Sequence, residues 1–404
     1  MRENPTYSHY LPFVLLYFFA NNFLLPEGLL YTTLLTPVLL YWLYKSGKLK
    51  YLLIYSVLLL IPIPFQLSPV IDMKSFLIST TLVMAAFIVL ITSYFLLKKL
   101  NNVIEDIFSK VLVINILMVF FALLLLPIDF ISQFLWDFKP ISPGVPEFPR
   151  LMLLAYEPSH YALLLSPVFI YFILRILKNQ IEHPFLHLLA VLISLFLTLS
   201  FGVIGAIGIA LMIVVPSYQN HLSRNNKSLL INGGVLSIAL ILAFYFAFPE
   251  FPVFERIHNI VEGKDTSSKG RLVHSFMFAY DLISANNVFF GLGPGQIKVL
   301  AHDLIVNFYK YEGEYAEIVR IPNTMGEMLA TYGFYGFILK ILITTWLFIY
   351  FKVYRNMFNL ALFIFIFIYQ FTGSFLINAA EMGIWAMVYG LRLPRFEWTN
   401  KAES

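Results

Sequence analysis

Residues 76–97, FLISTTLVMAAFIVLITSYFLL, run for 22 positions without a charge, and a chain built around such a run has few ways to fold. A bilayer core about 30 Å thick is crossed by roughly 20 apolar residues in a helix, because lipid offers no partner to an open backbone N–H or C=O. Counting this run, twelve candidate spans can be read: 11–25, 29–44, 51–66, 76–97, 110–127, 155–174, 185–200, 202–216, 229–248, 326–351, 357–375 and 379–391. The last is short. Residues 185–215 contain no charge except His187, so dividing them rests on length and on a bend at Ser200 and Gly202. Composition agrees: 59% of residues are hydrophobic and 12% charged, where soluble domains run near a quarter charged. The fold class is therefore all-α integral membrane, with about twelve transmembrane helices. The opening MRENPTYSHY carries one Lys or Arg and no small-residue cleavage site comes after the next apolar run, so 11–25 is expected to be retained.

Lysine and arginine collect in alternate loops, the pattern of loops held on the cytoplasmic side. One set holds Lys45, Lys48 and Lys50; Lys98, Lys99 and Lys110; Arg175 and Lys178; Arg224 and Lys227; Lys352 and Arg355; and Arg392, Arg395 and Lys401. Short loops of the opposite set hold only Glu27, then Asp72 with Lys74, then Glu381. Both termini are expected in the cytoplasm. The excess of 27 Lys and Arg over 23 Asp and Glu is small and dispersed, which argues against a nucleic-acid partner. Zero cysteines exclude disulfides, thiolate nucleophiles and Cys-ligated metals. The chain divides into four parts: 1–248 with helices 1–9 and an outer loop at 128–154; a large folded outer loop, 249–325, between helices 9 and 10; 326–391 with helices 10–12; and a cytoplasmic tail, 392–404. In the large loop, RLVHSFMFAYDLISA spaces Leu272, Phe276, Ala279 and Ile283 along one helical face. QIKVLAHDLIVNFYKY does the same with Ile297, Leu300, Leu304, Phe308 and Tyr311, so two amphipathic helices are expected.

Chemistry-bearing residues gather in the two long outer segments. FPRLMLLAYEPSHYALLLSP, 148–167, sets Arg150, Glu157 and His160 around a helix start marked by Pro158. A helix N-terminus suits an anion, and Glu157 can fill that role itself as a cap; Arg150 and His160 add nothing to a simple cap. Arg271 comes directly after the polar run KDTSSKG, and Arg256 and Arg320 lie in the same segment. A guanidinium matches phosphate with a planar fork of donors, although pairing with the loop's own acids or with lipid headgroups is the plainer alternative. GLGPGQ, 291–296, lacks the GK[ST] of a nucleotide loop and reads as a structural turn. Gly202, Gly205 and Gly208 read as a close helix contact. The eight histidines are scattered, without HExxH, and there is no DxD, so neither metal nor cofactor is expected. An enzyme working outside the cytoplasm without nucleotide or metal needs a substrate that arrives activated, and a lipid diphosphate is one. Arginines would neutralise its leaving group while Glu157, His160, His274 or Glu327 takes a proton. Lys340, inside the 326–351 candidate, either faces a partner or cavity or marks a span that begins later.

At three places the chain resembles the Wzy O-antigen polymerase and O-antigen ligase superfamily. PRLMLLAYEPSHYAL looks like the arginine and Glu-Pro-Ser that open the helix after the first long outer loop. GRLVHSFMFAYDLISANNVFFGLGPGQ looks like an arginine-led helix running into a Gly-x-Gly turn. PNTMGEMLATYGFYGF looks like the end of the great loop, with a Gly-x-x-Gly step into the next span. The resemblance implies a GT-C-like polytopic, metal-independent, inverting glycosyltransferase of the bacterial inner membrane, with its active site periplasmic. It would move a growing glycan from undecaprenyl diphosphate onto another undecaprenyl-diphosphate-linked repeat, the donor diphosphate held by Arg150 and Arg271. A chain-length regulator and a flippase would share its membrane. Asn323 stands where ligases of the superfamily usually show histidine, which favours a polymerase over a ligase acting on lipid A–core or protein. One departure is TLSFG, 198–202, where many members read Thr-x-Ser-Arg: Phe201 takes the arginine's place. A flippase or transporter suits the span count equally, but the two halves show no repeat.

Overall fold

The computed structural model describes residues 10–25, 29–67, 71–139, 148–217, 245–247, 252–309 and 319–398. Most of the 229–248 candidate span, with Arg224, Lys227, Tyr311 and both chain ends, lies outside the described residues. What is described is an all-α membrane protein. Five helices are long and apolar enough to cross a bilayer: Leu49–Gln66, Met73–Leu100, Ile104–Leu124, Pro158–Leu177 and Thr324–Tyr350. Three apolar helices are shorter, Pro184–Thr198, Phe201–Ser217 and Met357–Thr372. The expected division of 185–215 is present: Thr198 ends one helix, Leu199 adopts a left-handed conformation (φ 47°), and Phe201 begins the next.

At the centre stands Pro158–Leu177, buried over nearly its whole length. It packs against Ile104–Leu124, Pro184–Thr198, Phe201–Ser217, Met357–Thr372 and Ala379–Gly390. Asn115 joins its own helix to two of these, donating to Ser194 Oγ (2.8 Å) and accepting from Tyr161 OH (2.6 Å), so both ends of its own buried amide are paired. At the C-terminal end of the central helix the basic segments meet. Arg395 pairs with Glu105, Lys178 donates to the Arg395 carbonyl, and Asn101 donates to the Arg392 carbonyl. The N-terminal end of the same helix is about 28 Å away by helical rise over its 20 residues. Gly202 sits 3.8 Å from Thr372 of the neighbouring helix by its would-be Cβ, whereas Gly205 and Gly208 meet nothing within 4 Å among the described residues; the expected three-glycine contact is one glycine wide.

Residues 275–308 fold onto Thr324–Tyr350 through a second core of Phe278, Ala279, Leu282, Ile283, Ile297, Ala301, Ile305, Val319 and Ile321. The two amphipathic helices exist with shifted faces. Leu272 is exposed, because Gly270–His274 is a π-helical turn whose extra residue rotates the helix beyond it. In the second segment the helix is interrupted at Ala301, so Ile297, Ala301 and Ile305 point inward while Leu300 and Leu304 are exposed.

Thr324–Tyr350 is two helical segments joined at Gly333, whose φ of 62° and ψ of −161° belong to no helix. A straight helix would separate residues 324 and 340 by about 24 Å. Yet Thr324 Oγ1 donates to Glu381 Oε2 (2.9 Å) and Lys340 Nζ lies 3.7 Å from Glu381 Oε1. The break folds one segment back toward the other. Backbone groups freed there find partners in the glycine-rich turn: Leu292 N donates to Ala330 O, Gly293 N to Thr331 O, Phe334 N to Val288 O and Tyr335 N to Phe289 O. Irregular backbone among membrane helices persists only where protein satisfies it in this way. Gly291, Gly293 and Gly295 all have positive φ, and a Cβ on Gly291 or Gly295 would strike the backbone of Thr331 or Ser75. GLGPGQ is thus a brace, as its lack of nucleotide-loop residues suggested. Lys340 is neither a lipid-facing nor a snorkelling charge but the partner of a fully buried carboxylate.

Candidate functional site

Arg150 begins the short stretch of the outer segment that is pinned before the central helix. A two-residue ladder pairs Trp136 with Leu151 and Asp137 with Arg150, and the Arg150 guanidinium forms an ion pair with Asp137. Its Nε is buried without a hydrogen-bond partner among the described residues. Seven residues on, Glu157 occupies the N-cap position with extended backbone (φ −154°, ψ 155°), but its side chain caps nothing. Pro158 at the first helical position has no N–H to offer, and Glu157 Oε1 instead accepts from Ser159 Oγ. The carboxylate thereby stays available to the space in front of the helix. One turn along, His160 is buried with its ring 4.7 Å from that of Tyr156, and neither ring nitrogen has a hydrogen-bond partner among the described residues. A buried imidazole in that state demands an explanation, since each unmade hydrogen bond there costs about 1–3 kcal/mol.

Arg271 reaches the same space from the π-helical turn. Ser275 Oγ donates to Gly270 O (2.7 Å), and Asn323 Nδ2 donates to the carbonyl of Arg271, fixing the wide turn that presents the guanidinium. The third wall comes from the turn between Met357–Thr372 and Ala379–Gly390. Tyr369, Ser374, Phe375 and Asn378 face Glu157, Ser159, His160 and Arg271 across a cavity of about 40 Å³, room for a small polar group and not for a saccharide.

Two more arginines flank the cleft. Arg256, on the helix Pro252–Val261, is bound through Nε to the buried Asp265 (3.1 Å) and lies over the ring of Phe201 at 5.0 Å. Burial pulls its proton affinity below the usual guanidinium range despite Asp265, and the charges of Arg271 and Arg150 push the same way. Arg150, Arg256 and Arg271 therefore lie close enough to feel one another's charge, with Arg150 paired to Asp137 and Arg256 to Asp265. Arg320 lies over the ring of Phe375 at 4.2 Å, behind a wall of the cleft.

Three expected site residues serve elsewhere. Asn323 is fully buried: its Oδ1 caps the helix that begins at Thr324, accepting from Gly326 N, and its Nδ2 donates to Arg271 O and Phe371 O, so it positions Arg271 without facing the cleft. Glu327 accepts from Leu376 N (2.7 Å) and anchors the third wall from behind. His274 packs its ring 4.3 Å from that of Phe308, away from the cleft. Asp137, Tyr369, Ser374 and Asn378 were not expected. QFTGSFLINAAE, 370–381, interrupts apolar sequence with Gln370, Ser374, Asn378 and Glu381, and that polar cluster was the available signal. No protein-family model matches this chain, and no curated protein is significantly similar to it.

Proposed function

We propose that the protein is a polysaccharide repeat-unit polymerase of the bacterial inner membrane, joining glycans carried on undecaprenyl diphosphate. The observation that carries the reading is the convergence of Glu157, His160 and Arg271 on one cleft, with Arg150 and Arg256 beside it. Three guanidiniums around a carboxylate and an unpartnered imidazole suit a reaction in which a diphosphate leaves while a hydroxyl attacks. In that reaction the acceptor hydroxyl attacks the anomeric carbon and inverts it. The bond from that carbon to the diphosphate oxygen breaks, its electron pair leaves with the diphosphate against the arginines, and the hydroxyl proton passes to the Glu157–His160 pair. Phe201, which stands where the resembled family carries arginine, lies under the Arg256 guanidinium, so a cation is supplied at that corner from another helix. The proposal includes the finer topology: twelve spans, both termini cytoplasmic, and the cleft on the periplasmic side. Support for it is that the basic segments and the cleft lie at opposite ends of the central helix.

The test is the purified protein in nanodiscs with undecaprenyl-diphosphate-linked repeat units as sole substrate and products separated by size. A growing ladder is the expected result. Transfer only when lipid A–core is added would make the protein a ligase and overturn the polymerase reading; no product with either acceptor would overturn glycosyl transfer itself.

A further inference from the structure

A half-open apolar cavity of about 160 Å³ lies on the far side of the 370–378 turn from the charged cleft, between the helices that carry Tyr55, Phe87, Leu339, Lys340, Trp385 and Tyr389. On the second segment of the broken helix its lining runs from Tyr335 to Leu347, about 18 Å along the axis by helical rise. Gln370 and Leu376 line this cavity while Tyr369, Ser374 and Phe375 line the cleft, so one short turn has a face in each. The two are also connected through hydrogen bonds. Lys340 pairs with Glu381; Glu381 accepts from Thr324 and Gln370; Thr324 N donates to Gly373 O; and the adjacent Asn323 holds the carbonyl of Arg271.

We propose that this cavity seats a segment of the isoprenoid chain of a lipid-linked saccharide whose phosphate end lies at the mouth of the cleft. The inference rests on the reading of the cleft as a lipid-diphosphate site. Several observations select that occupant. Apart from Lys340, Gln370, Thr344 and tyrosine hydroxyls, the lining is hydrocarbon and aromatic, which suits chain and not sugar. The volume matches a benzene-sized piece of hydrocarbon, about one isoprene unit, and not a whole lipid. Exposed Val57, Leu342 and Trp346, on the same helices, extend the apolar surface for the remainder. Because a single turn borders both spaces, a chain in one leaves its head near the other.

The probe is a polyprenyl phosphate bearing a diazirine in its chain, photolysed with the full-length protein in nanodiscs, with the labelled peptides mapped. Label is expected within 335–347 and 55–59, suppressed at least tenfold by excess undecaprenyl phosphate and not by phosphatidylglycerol. Leu339→Trp, which fills the cavity, is expected to reduce it tenfold, while Phe120→Trp, on the exposed side of Ile104–Leu124 and away from the cavity, leaves it unchanged. Equal competition by phosphatidylglycerol would mean an ordinary annular lipid and would overturn the proposal, as would label elsewhere in the wild-type protein; this arm stands whatever the yield of Leu339→Trp. Specific label in a protein that forms no glycan in either acceptor assay would overturn the transferase reading and leave the isoprenoid site standing.

Discussion

Arg271 and His160 make opposite demands on the fold, and substitutions separate them. The Arg271 guanidinium is aimed by its backbone, which Asn323 and the π-helical turn hold. Arg271→Ala is expected to slow ladder growth about 100-fold or more, the loss typical of removing one charge-stabilising donor. Arg271→Lys should recover only part of it, because a point charge lacks the planar fork. Initial rates of the purified variants check this, and a rate unchanged in Arg271→Ala removes the residue from the site. For His160 the informative replacement is phenylalanine, which keeps the ring beside Tyr156 and deletes two nitrogens that have no described partner. A purely structural His160 would leave both stability and rate intact. The expected outcome is a Tm equal to or above wild type with polymerisation lowered at least 100-fold, the scale of general acid–base catalysis. Glu157 and His160 were legible as neighbours because they flank one helix start, where spacing alone brings them to one cleft; Arg150, paired with Asp137, is not among the residues that line it. Asn323 was legible as important but not in its role, since a helix cap and a catalytic amide look alike in one sequence. Tyr369 and Asn378 were illegible as site residues, because only the tertiary fold carries their turn to the cleft.

Among the elements, the broken helix Thr324–Tyr350 and the turn 287–295 depend on each other, since each satisfies the backbone of the other. Glycine substitutions measure that dependence. Gly263 has a φ of +70° and open space around it, so Gly263→Ala bears only the left-handed penalty of about 1 kcal/mol. Gly295 has a φ of +77° and faces the Ser75 backbone, so Gly295→Ala adds a collision that neither side can relieve by turning a side chain. Thermal unfolding in detergent should show a small fall in Tm for the first and a fall at least twice as large for the second; equal falls would mean that the brace does not hold the helices. The sequence announced the turn through its glycines and the helices through their periodicity. It misjudged two helix faces, for one reason in each. A π-helical turn adds a residue at 270–274 and an interruption at Ala301 resets the phase, and neither leaves a mark in the apolar spacing. Gly333 likewise gave no warning of how sharply the chain turns there, because its φ is fixed by bonds to residues about 40 positions earlier.

For the molecule as a whole, the polymerase reading requires the cleft and the basic segments to face opposite compartments. Ser46 lies in the Lys45–Lys50 turn, where Lys48 covers the ring of Phe95 at 4.9 Å and Lys99 covers Trp42 at 5.3 Å. Cations over aromatic rings at a helix end suit a membrane interface bearing anionic lipid. Ser284 is exposed at the end of the helix Ser275–Ser284, in the segment that presents Arg271. With no native cysteine, each position can carry the only thiol in the protein, and Ser→Cys changes one atom. In spheroplasts with an intact inner membrane, a membrane-impermeant maleimide is expected to label Ser284→Cys at once and Ser46→Cys only after lysis. Label on Ser46→Cys in intact spheroplasts, with Ser284→Cys protected, would put the cleft in the cytoplasm. There the lipid-linked repeats would meet it before crossing the membrane, and the polymerase reading would fall with the topology even if every residue in the cleft were correctly assigned.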